Sequence, residues 1–352
     1  MFYEKCLKPG LFLLDPERAH NWATFGLKAL SRMGPVVQIL RRCNQVRQEK
    51  PIHLFGLEFP NAVGLAAGMD KNAEFPKAAA ALGFGHVEVG AVTPLRQTGN
   101  PMPRLFRYPD SGALVNRMGF NNDGADAIAE RLARWYPVGS RSAPLGINLG
   151  KGRSTELDHA ASDYLTVFKV LADQADYFSI NVSSPNTPGL RRLQDTAFLR
   201  PLLQELQKEN KERANLMGSA KAPILVKLSP DISYRQLDQA LEIILETECA
   251  GVIATNTSSS RSFSGTEKYE SGGIGGLPVR LRSTQFINYV SRSTEGKLPI
   301  IGVGGVDDPV SAGEKIDAGA SLVQIYTGMV YKGPFLAKQI AKALRNRSSS
   351  WF

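Results

Sequence analysis

Tyr177-Phe178-Ser179-Ile180-Asn181-Val182-Ser183-Ser184-Pro185-Asn186-Thr187-Pro188-Gly189-Leu190-Arg191 begins as a β-strand and ends as a loop. Its first half is β-branched and aromatic, which suits a pleated, buried surface, and the two prolines after Ser184 forbid both a continuing strand and an immediate helix. The corner at the strand end therefore carries Asn181, Ser183, Ser184 and Asn186. Amides offer donors and an acceptor together, so such a corner can read a planar substrate with N–H and C=O edges. Asn and Ser are also ordinary turn formers. What separates the two uses is whether other strands in the chain end in the same way.

From residue 51 onward, short apolar runs alternate with helix-like stretches. Strands are expected over 63–68, 86–90, 145–149, 177–182, 224–228, 252–257, 300–303 and 322–326. Helices are expected near 74–82, 122–135, 160–174, 196–214, 233–247, 280–293, 309–318 and 334–345. Near-continuous apolar strands, each followed by a helix, imply a parallel sheet covered on its outer face, and eight such units match an α/β fold of the (β/α)8 TIM barrel type. An open, doubly wound sheet is the alternative, but Gly64-Leu65-Ala66-Ala67-Gly68 lacks the spacing of its dinucleotide fingerprint. Two connections exceed a simple turn. Residues 91–121 contain a hairpin pattern, Leu105 to Tyr108 and Ala113 to Val115 about Asp110-Ser111-Gly112, while residues 258–276 are rich in Ser and Gly and fit a mobile lid.

The first 50 residues have a different character. Apolar residues recur at near-helical spacing, with Gly34-Pro35 breaking the run, and nine cations face four anions, which is more than half of the chain's net charge of +9. A pair of helices with a solvated basic face would give this pattern. So would a small helical domain whose apolar face meets a membrane and whose cations meet anionic headgroups, and charge with amphipathicity together favour the second. No run of interleaved basic and aromatic residues marks a nucleic-acid surface, so none is expected as a partner. Cys6, Cys43 and Cys249 follow neither a disulfide nor a metal pattern, which fits a reducing compartment. The sequence has no apolar run near 18 residues and no secretory block at its N-terminus.

In a barrel the residues just past each strand converge on one face. Taken in order they are Lys71, Thr93, Asn148, then Asn181 with Ser184 and Asn186, then Lys227, then Asn256 with Thr257, and lastly Gly304-Gly305 and Tyr326-Thr327. Polar groups at every strand end are more than folding requires. The Gly304-Gly305 and Tyr326-Thr327-Gly328 turns free backbone to approach a ligand at the position where barrels frequently bind phosphate. His20, His53, His86 and His159 fall outside this set, so neither a histidine triad nor a metal site is expected. Lys71 and Lys227 would face a phosphate-bound planar cofactor, and a cation there would stabilise the negative charge that a flavin gains on reduction.

Seven stretches carry a family resemblance: Ala66 to Asn72, Asn116 to Asn122, Gly146 to Lys151, Asn181 to Arg191, Val226 to Pro230, Ile253 to Thr257 and Ile300 to Gly305. They are similar to the dihydroorotate dehydrogenases, and to the membrane-associated, quinone-dependent class 2 among them, over roughly residues 45–345. The resemblance implies an FMN-binding barrel, residues 51–352, preceded by a small helical domain, residues 1–50, that gives a quinone access at the membrane. It implies oxidation of (S)-dihydroorotate to orotate in de novo pyrimidine biosynthesis, with hydride passing to FMN and electrons to ubiquinone or menaquinone. Ser184 would be the base that removes the C5 proton while C6 gives the hydride, and serine in place of cysteine there also resembles class 2.

By the same resemblance Lys71, Asn116, Arg117, Met118, Gly119 and Phe120 hold or enclose the substrate. Asn181, Asn186, Asn256 and Thr257 complete its contacts. FMN would be held by Ala67, Gly68, Met69, Asp70 and Lys71, then by Ala91, Asn148, Asn181 and Lys227. Thr255, Gly276, Gly305, Tyr326 and Thr327 would complete that set. Ala91 departs from the family, where a hydroxyl residue is frequent; a backbone contact survives the change and a side-chain bond does not. The absence of a transit peptide and of a transmembrane anchor leads to the expectation of a peripheral protein on the cytoplasmic side of a bacterial inner membrane. Two other functions stay open: a soluble flavoenzyme of the same fold using fumarate or NAD, and a non-catalytic barrel that binds a phosphorylated ligand.

Overall fold

The computed structural model describes residues 3–48, 51–261 and 269–348. Eight parallel strands close a barrel: β1 (Val63–Leu65), β2 (His86–Val92), β3 (Leu145–Leu149), β4 (Tyr177–Asn181), β5 (Ile224–Leu228), β6 (Gly251–Ala254), β7 (Ile300–Val303) and β8 (Leu322–Ile325). Each pairs with the next in sequence, and β8 pairs with β1, Val323 against Val63, so no edge is left open. Helices cover the outside in the expected alternation, including Pro76–Ala81, Ala125–Trp135, Ala160–Leu171, Thr196–Met217, Tyr234–Glu246 and Arg280–Ser293.

Side chains fill the interior through complementary sizes. A Cβ at Gly64 would lie 2.0 Å from the His86 ring, and one at Gly146 would lie 2.1 Å from the Tyr177 ring. Glycine on one strand is thus the socket for a large ring on its neighbour, the alternation of small and large residues that packs a tapering barrel.

The strands depart from expectation mainly at their ends. β6 stops at Ala254, and Asn256 and Thr257 lie beyond it because the Asn256 Oδ1 accepts the Thr257 N–H at 2.8 Å and turns the chain. β1 stops at Leu65, though Ala66 still donates to the Ile325 carbonyl at 3.0 Å. A short helix, Thr327–Lys332, precedes the last one, Leu336–Ser348, with Gly333-Pro334 between them. Two elements carry too few residues to announce themselves. Ile52–Leu54 and Leu57–Phe59 form an antiparallel hairpin at the N-terminal ends of the strands, where Phe59 packs edge-on against His86 with ring centroids 5.6 Å apart. Gly273–Gly276 pairs with Ala113–Asn116, making a three-stranded sheet of the expected hairpin, Leu105–Tyr108 with Ala113–Asn116. The end of the expected lid is therefore a strand. Its residues 262–268 lie outside the described part of the chain.

Among the described residues three α-helices precede the barrel, Lys8–Leu13, Pro16–Arg32 and Gly34–Asn44, the first of them continuing a π-helical turn at Tyr3–Leu7. Gly34-Pro35 opens the third of them, with proline in the first turn where its missing N–H costs nothing. The middle helix is capped by Asp15, whose carboxylate accepts the N–H groups of Glu17 and Arg18. It is fastened to the barrel mouth by a buried ion pair: Arg104 donates from Nε at 3.0 Å and Nη2 at 2.8 Å to Glu17 Oε1. Ser31 Oγ accepts the Ala78 N–H at 3.2 Å, and Lys28 pairs with Glu74. Breaking a buried pair by removing one partner leaves the other charge uncompensated, whereas removing both can be nearly neutral. We therefore expect Glu17→Met or Arg104→Met alone to lower unfolding free energy by about 3–5 kcal/mol in urea titrations. The double variant should recover most of that loss.

Candidate active site

The C-terminal ends of the strands open into one cavity with about 1090 Å³ of empty space, counting the part open to solvent. Barrel register sets its wall: Asn148 lies beside Gly90 and Ser179, and Asn181 beside Lys227. The amides form a continuous chain. Asn181 Nδ2 donates to Asn148 Oδ1 at 2.9 Å, and Asn256 Nδ2 donates to Asn181 Oδ1 at 3.2 Å and to Ser183 Oγ at 3.0 Å. A second pair faces it from the hairpin side, where Asn186 Nδ2 donates to Asn116 Oδ1 at 3.0 Å. Interlocked amides of this kind present a fixed pattern of donors and acceptors. Ser184 stands on the same wall, buried, with its Oγ accepting the Asn186 N–H at 3.3 Å.

Most of the residues that the sequence singled out meet here: Ala67, Gly68 and Lys71 after β1, Ala91 on β2, and Asn116, Met118, Gly119 and Phe120 from the hairpin connection. Thr255, Thr257, Gly276, Gly305, Tyr326 and Thr327 close the circle. Four lie off this wall. Thr93, after β2, is buried away from it, donating its hydroxyl to the Leu95 carbonyl at 2.7 Å and accepting from Asn122 Nδ2 at 2.8 Å. Arg117 reaches outward to Glu270 Oε2 at 3.2 Å and Ser271 Oγ at 2.9 Å. Asp70 turns inward and accepts the N–H groups of Glu74 and Phe75, both at 2.8 Å, so it organises the loop after β1, and burial pushes its carboxyl up to about 6. Met69 faces a different cavity, described below.

After β7, Gly304 and Gly305 have φ of +116° and +72°, and a Cβ on Gly305 would meet the Arg280 Cα at 2.6 Å. Only glycine fits such a turn, which leaves backbone in place of side chain where an anion would sit. At the floor, Lys227 supplies a buried cation, while Thr255 Oγ1 and Gln324 Oε1 are buried polar atoms without a partner. Unsatisfied buried groups are costly and few. A backbone cradle, together with a buried cation and unpartnered polar atoms lining the same cavity, fits a molecule that joins a phosphate to a flat, heteroatom-rich ring, as flavin mononucleotide does.

Lys71 joins this cavity to a second one. Its Nζ lies 3.2 Å from His20 Nε2. Burial, reinforced by the Lys71 charge, pushes His20 down to about 3, so at neutral pH the imidazole is uncharged and accepts from the ammonium. Burial also lowers Lys71 to about 8, against the pull of Glu17 and Asp70. On the far side of His20 is an apolar cavity with about 1080 Å³ of empty space, walled by the first two helices, Met69 and the Met329-Val330 segment. Leu114 and Tyr326 belong to both walls. Arg107 shapes the outer part: it donates from Nη1 to the Leu11 carbonyl at 3.1 Å and lies 4.4 Å from the Phe12 ring centroid. Tyr3 donates its hydroxyl to the Val330 carbonyl at 2.6 Å. Strand-end logic does not find His20, Arg107 or Tyr3, since none follows a barrel strand. For His20 helical spacing is the available signal, because Pro16, Ala19, His20, Ala23 and Leu27 recur on one face of their helix; Arg107, on a hairpin strand, and Tyr3 have none.

Comparison with known proteins agrees with this geometry. The family described as dihydroorotate dehydrogenase matches residues 51–347. A protein of Salinispora arenicola (strain CNS-205) named dihydroorotate dehydrogenase (quinone) is 49% identical over 356 residues, covering 98% of this chain and 99% of its own length. One of the same name from Pseudoalteromonas translucida (strain TAC 125) is 46% identical, covering 98% of this chain and 100% of its own. The crystal structure of DHODH from Eimeria tenella in complex with ferulenol superposes with a TM-score of 0.83 at 34% identity, over 96% of this chain and 92% of that one. With a matching family that spans nearly the whole barrel and relatives aligned end to end, this chain belongs to the dihydroorotate dehydrogenase family.

Proposed function

We infer that this enzyme oxidises dihydroorotate to orotate in pyrimidine biosynthesis and passes the electrons to a quinone. The observation that carries this function is the pair of cavities, one polar and one apolar, meeting at Leu114 and Tyr326. A hydrophilic reductant and a lipophilic oxidant each have a chamber of matching chemistry.

Flavin mononucleotide is the cofactor we assign to the polar cavity, held by the Gly304-Gly305 turn, Thr255, Lys227 and the backbone of Ala67 and Gly68. Bound there, a flavin supplies the two-electron acceptor that the oxidation requires. The chain's own residues do the rest. Asn116, Asn186 and Asn256 orient the ring of the substrate through its amide edges, and Lys71 attracts its carboxylate. Ser184 Oγ takes the proton from the carbon next to the one that is oxidised. A serine hydroxyl is a weak base at its ordinary pKa, so it acts only where neighbouring groups carry the proton onward. Phe120 and Met118 cover the cavity and keep bulk water from the reacting carbons.

We assign the quinone to the apolar cavity. Next to it, Leu13, Trp22, Phe25 and Ile39 are 89%, 66%, 67% and 61% exposed on the first three helices, and Arg18, Arg32 and Arg42 are exposed beside them. Apolar side chains among cations are the composition of a surface that rests on anionic lipid. Among the described residues no helix is long and apolar enough to cross a membrane. The helical segment, residues 1–50, is thus assigned to a peripheral contact with a membrane from which a quinone such as ubiquinone or menaquinone would reach the cavity. For a bacterial chain that would be the cytoplasmic side of the inner membrane.

Three measurements test these assignments. Purified protein should be yellow, and Ser184→Ala should slow anaerobic bleaching by dihydroorotate at least 100-fold while the flavin stays bound; unchanged bleaching removes Ser184 from its role (about 10²–10⁴ for a general base). Because Lys71 loses its charge above about pH 8, KM for the anionic substrate should climb as pH passes that value, and Lys71→Met should raise KM and flatten the profile. Finally, Ala19→Phe, which fills the apolar cavity, should reduce turnover with a quinone at least tenfold and leave single-turnover reduction by dihydroorotate intact.

A further inference from the structure

Beneath the floor of the polar cavity lies a carboxylate that the steps above do not use. Glu88, on β2, is fully buried, and the groups turned toward it are donors. Asn148 Nδ2 and Ser179 Oγ donate to its Oε1 at 3.0 and 2.9 Å. Gln324 Nε2 and the Tyr177 hydroxyl donate to its Oε2 at 2.8 and 3.4 Å, and Lys227 Nζ stands 3.8 Å from Oε1. One carboxylate therefore gathers side chains from β3, β4, β5 and β8, and three of them, Asn148, Lys227 and Gln324, continue into the cavity wall.

An amide has one donating and one accepting end, so committing the first decides where the second points. With Nε2 held by Glu88, Gln324 keeps Oε1 as its free end, and that atom is the one left buried without a partner. With Nδ2 held by Glu88, Asn148 turns Oδ1 to Asn181 and starts the amide chain. The same carboxylate balances the Lys227 charge. We propose that Glu88 is a positioning residue for the cofactor, fixing the orientation of Gln324 and Asn148 and, through Lys227, setting the net charge beneath the cavity that would hold it. The assignment rests on the flavin function proposed above.

A buried polar network of this kind also supports the core, and loss of that support alone would lower stability without altering the flavin. The redox potential separates the two roles. An anion near a group that gains negative charge on reduction opposes that reduction. In the flavin-loaded enzyme, Glu88→Gln should favour the reduced flavin about tenfold or more, a positive shift of about 30 mV for a two-electron couple, read anaerobically against a reference dye. It should also loosen flavin retention, since Gln324 no longer has a carboxylate to hold its Nε2. Glu88→Asp, which keeps the charge, should stay close to the parent potential. An unmoved potential in Glu88→Gln, with flavin bound, overturns the proposal even where the melting temperature falls. If that variant does not accumulate folded, Ser179→Ala takes its place: it lies off the cavity wall and removes one donor from the carboxylate. Its potential should move negative, and no movement overturns the proposal. A colourless parent protein would overturn the flavin assignment itself and this one with it, a result distinct from yellow protein with an unchanged potential.

Discussion

Closure of the parallel sheet is the constraint on which the rest depends. Each strand bonds to its sequence neighbours, and the β8 to β1 pairing removes the last edge, so all eight strand ends face one way around a small perimeter. Residues more than two hundred positions apart thereby become neighbours: Gln324 reaches Glu88, and Tyr326 donates to the Gly68 carbonyl at 3.3 Å. A polar mouth on an apolar barrel is then inexpensive. The strand interiors supply the core, and the groups that chemistry needs are carried on loops whose positions the core fixes.

The polarity of those groups is sorted in space. Amides, Ser184 and the lysines share the cavity over the barrel, where they satisfy one another in chains such as Asn256 to Asn181 to Asn148. The apolar cavity lies outside that ring, between the barrel and helices that have little packing of their own. Those helices are fastened by a few specific ties, the Glu17 to Arg104 pair, Lys28 to Glu74, and Arg107 on the Leu11 carbonyl. Where they meet the mouth, Lys71 and His20 carry opposite consequences of the same burial. The lysine keeps most of its charge at neutral pH, the histidine gives its own up, and the contact becomes a hydrogen bond in place of a repulsion.

Much of this arrangement can be read from residue order because a (β/α)8 barrel turns sequence position into spatial position. Once eight apolar runs are found, the residues at and just past the C-terminal end of each are known to approach the mouth; Asn148, Asn181 and Lys227 prove to lie in the last residues of their strands, and Lys71 and Asn256 lie beyond theirs. The same logic overreaches within loops. Arg117 and Met118 are adjacent, yet Met118 lines the cavity while Arg117 swings out to Glu270, and Met69 and Asp70 turn away from the wall that Gly68 and Lys71 line. Which side of a loop a residue shows depends on what else is packed against it.

By itself the sequence determined the strand and helix alternation, the closed barrel, the glycine turns after β7 and the basic, amphipathic character of the first 50 residues, because each is written in local periodicity and composition. Tertiary structure alone decided that Glu88 is the buried hub of the cavity floor, that His20 meets Lys71, and that Gly273–Gly276 is a strand of the hairpin sheet. The physical reason is the same in all three cases. A glutamate inside an apolar strand, a histidine on a helix or a run of glycines has no local signature of its role, and acquires one only from partners that closure and docking bring to it from distant parts of the chain.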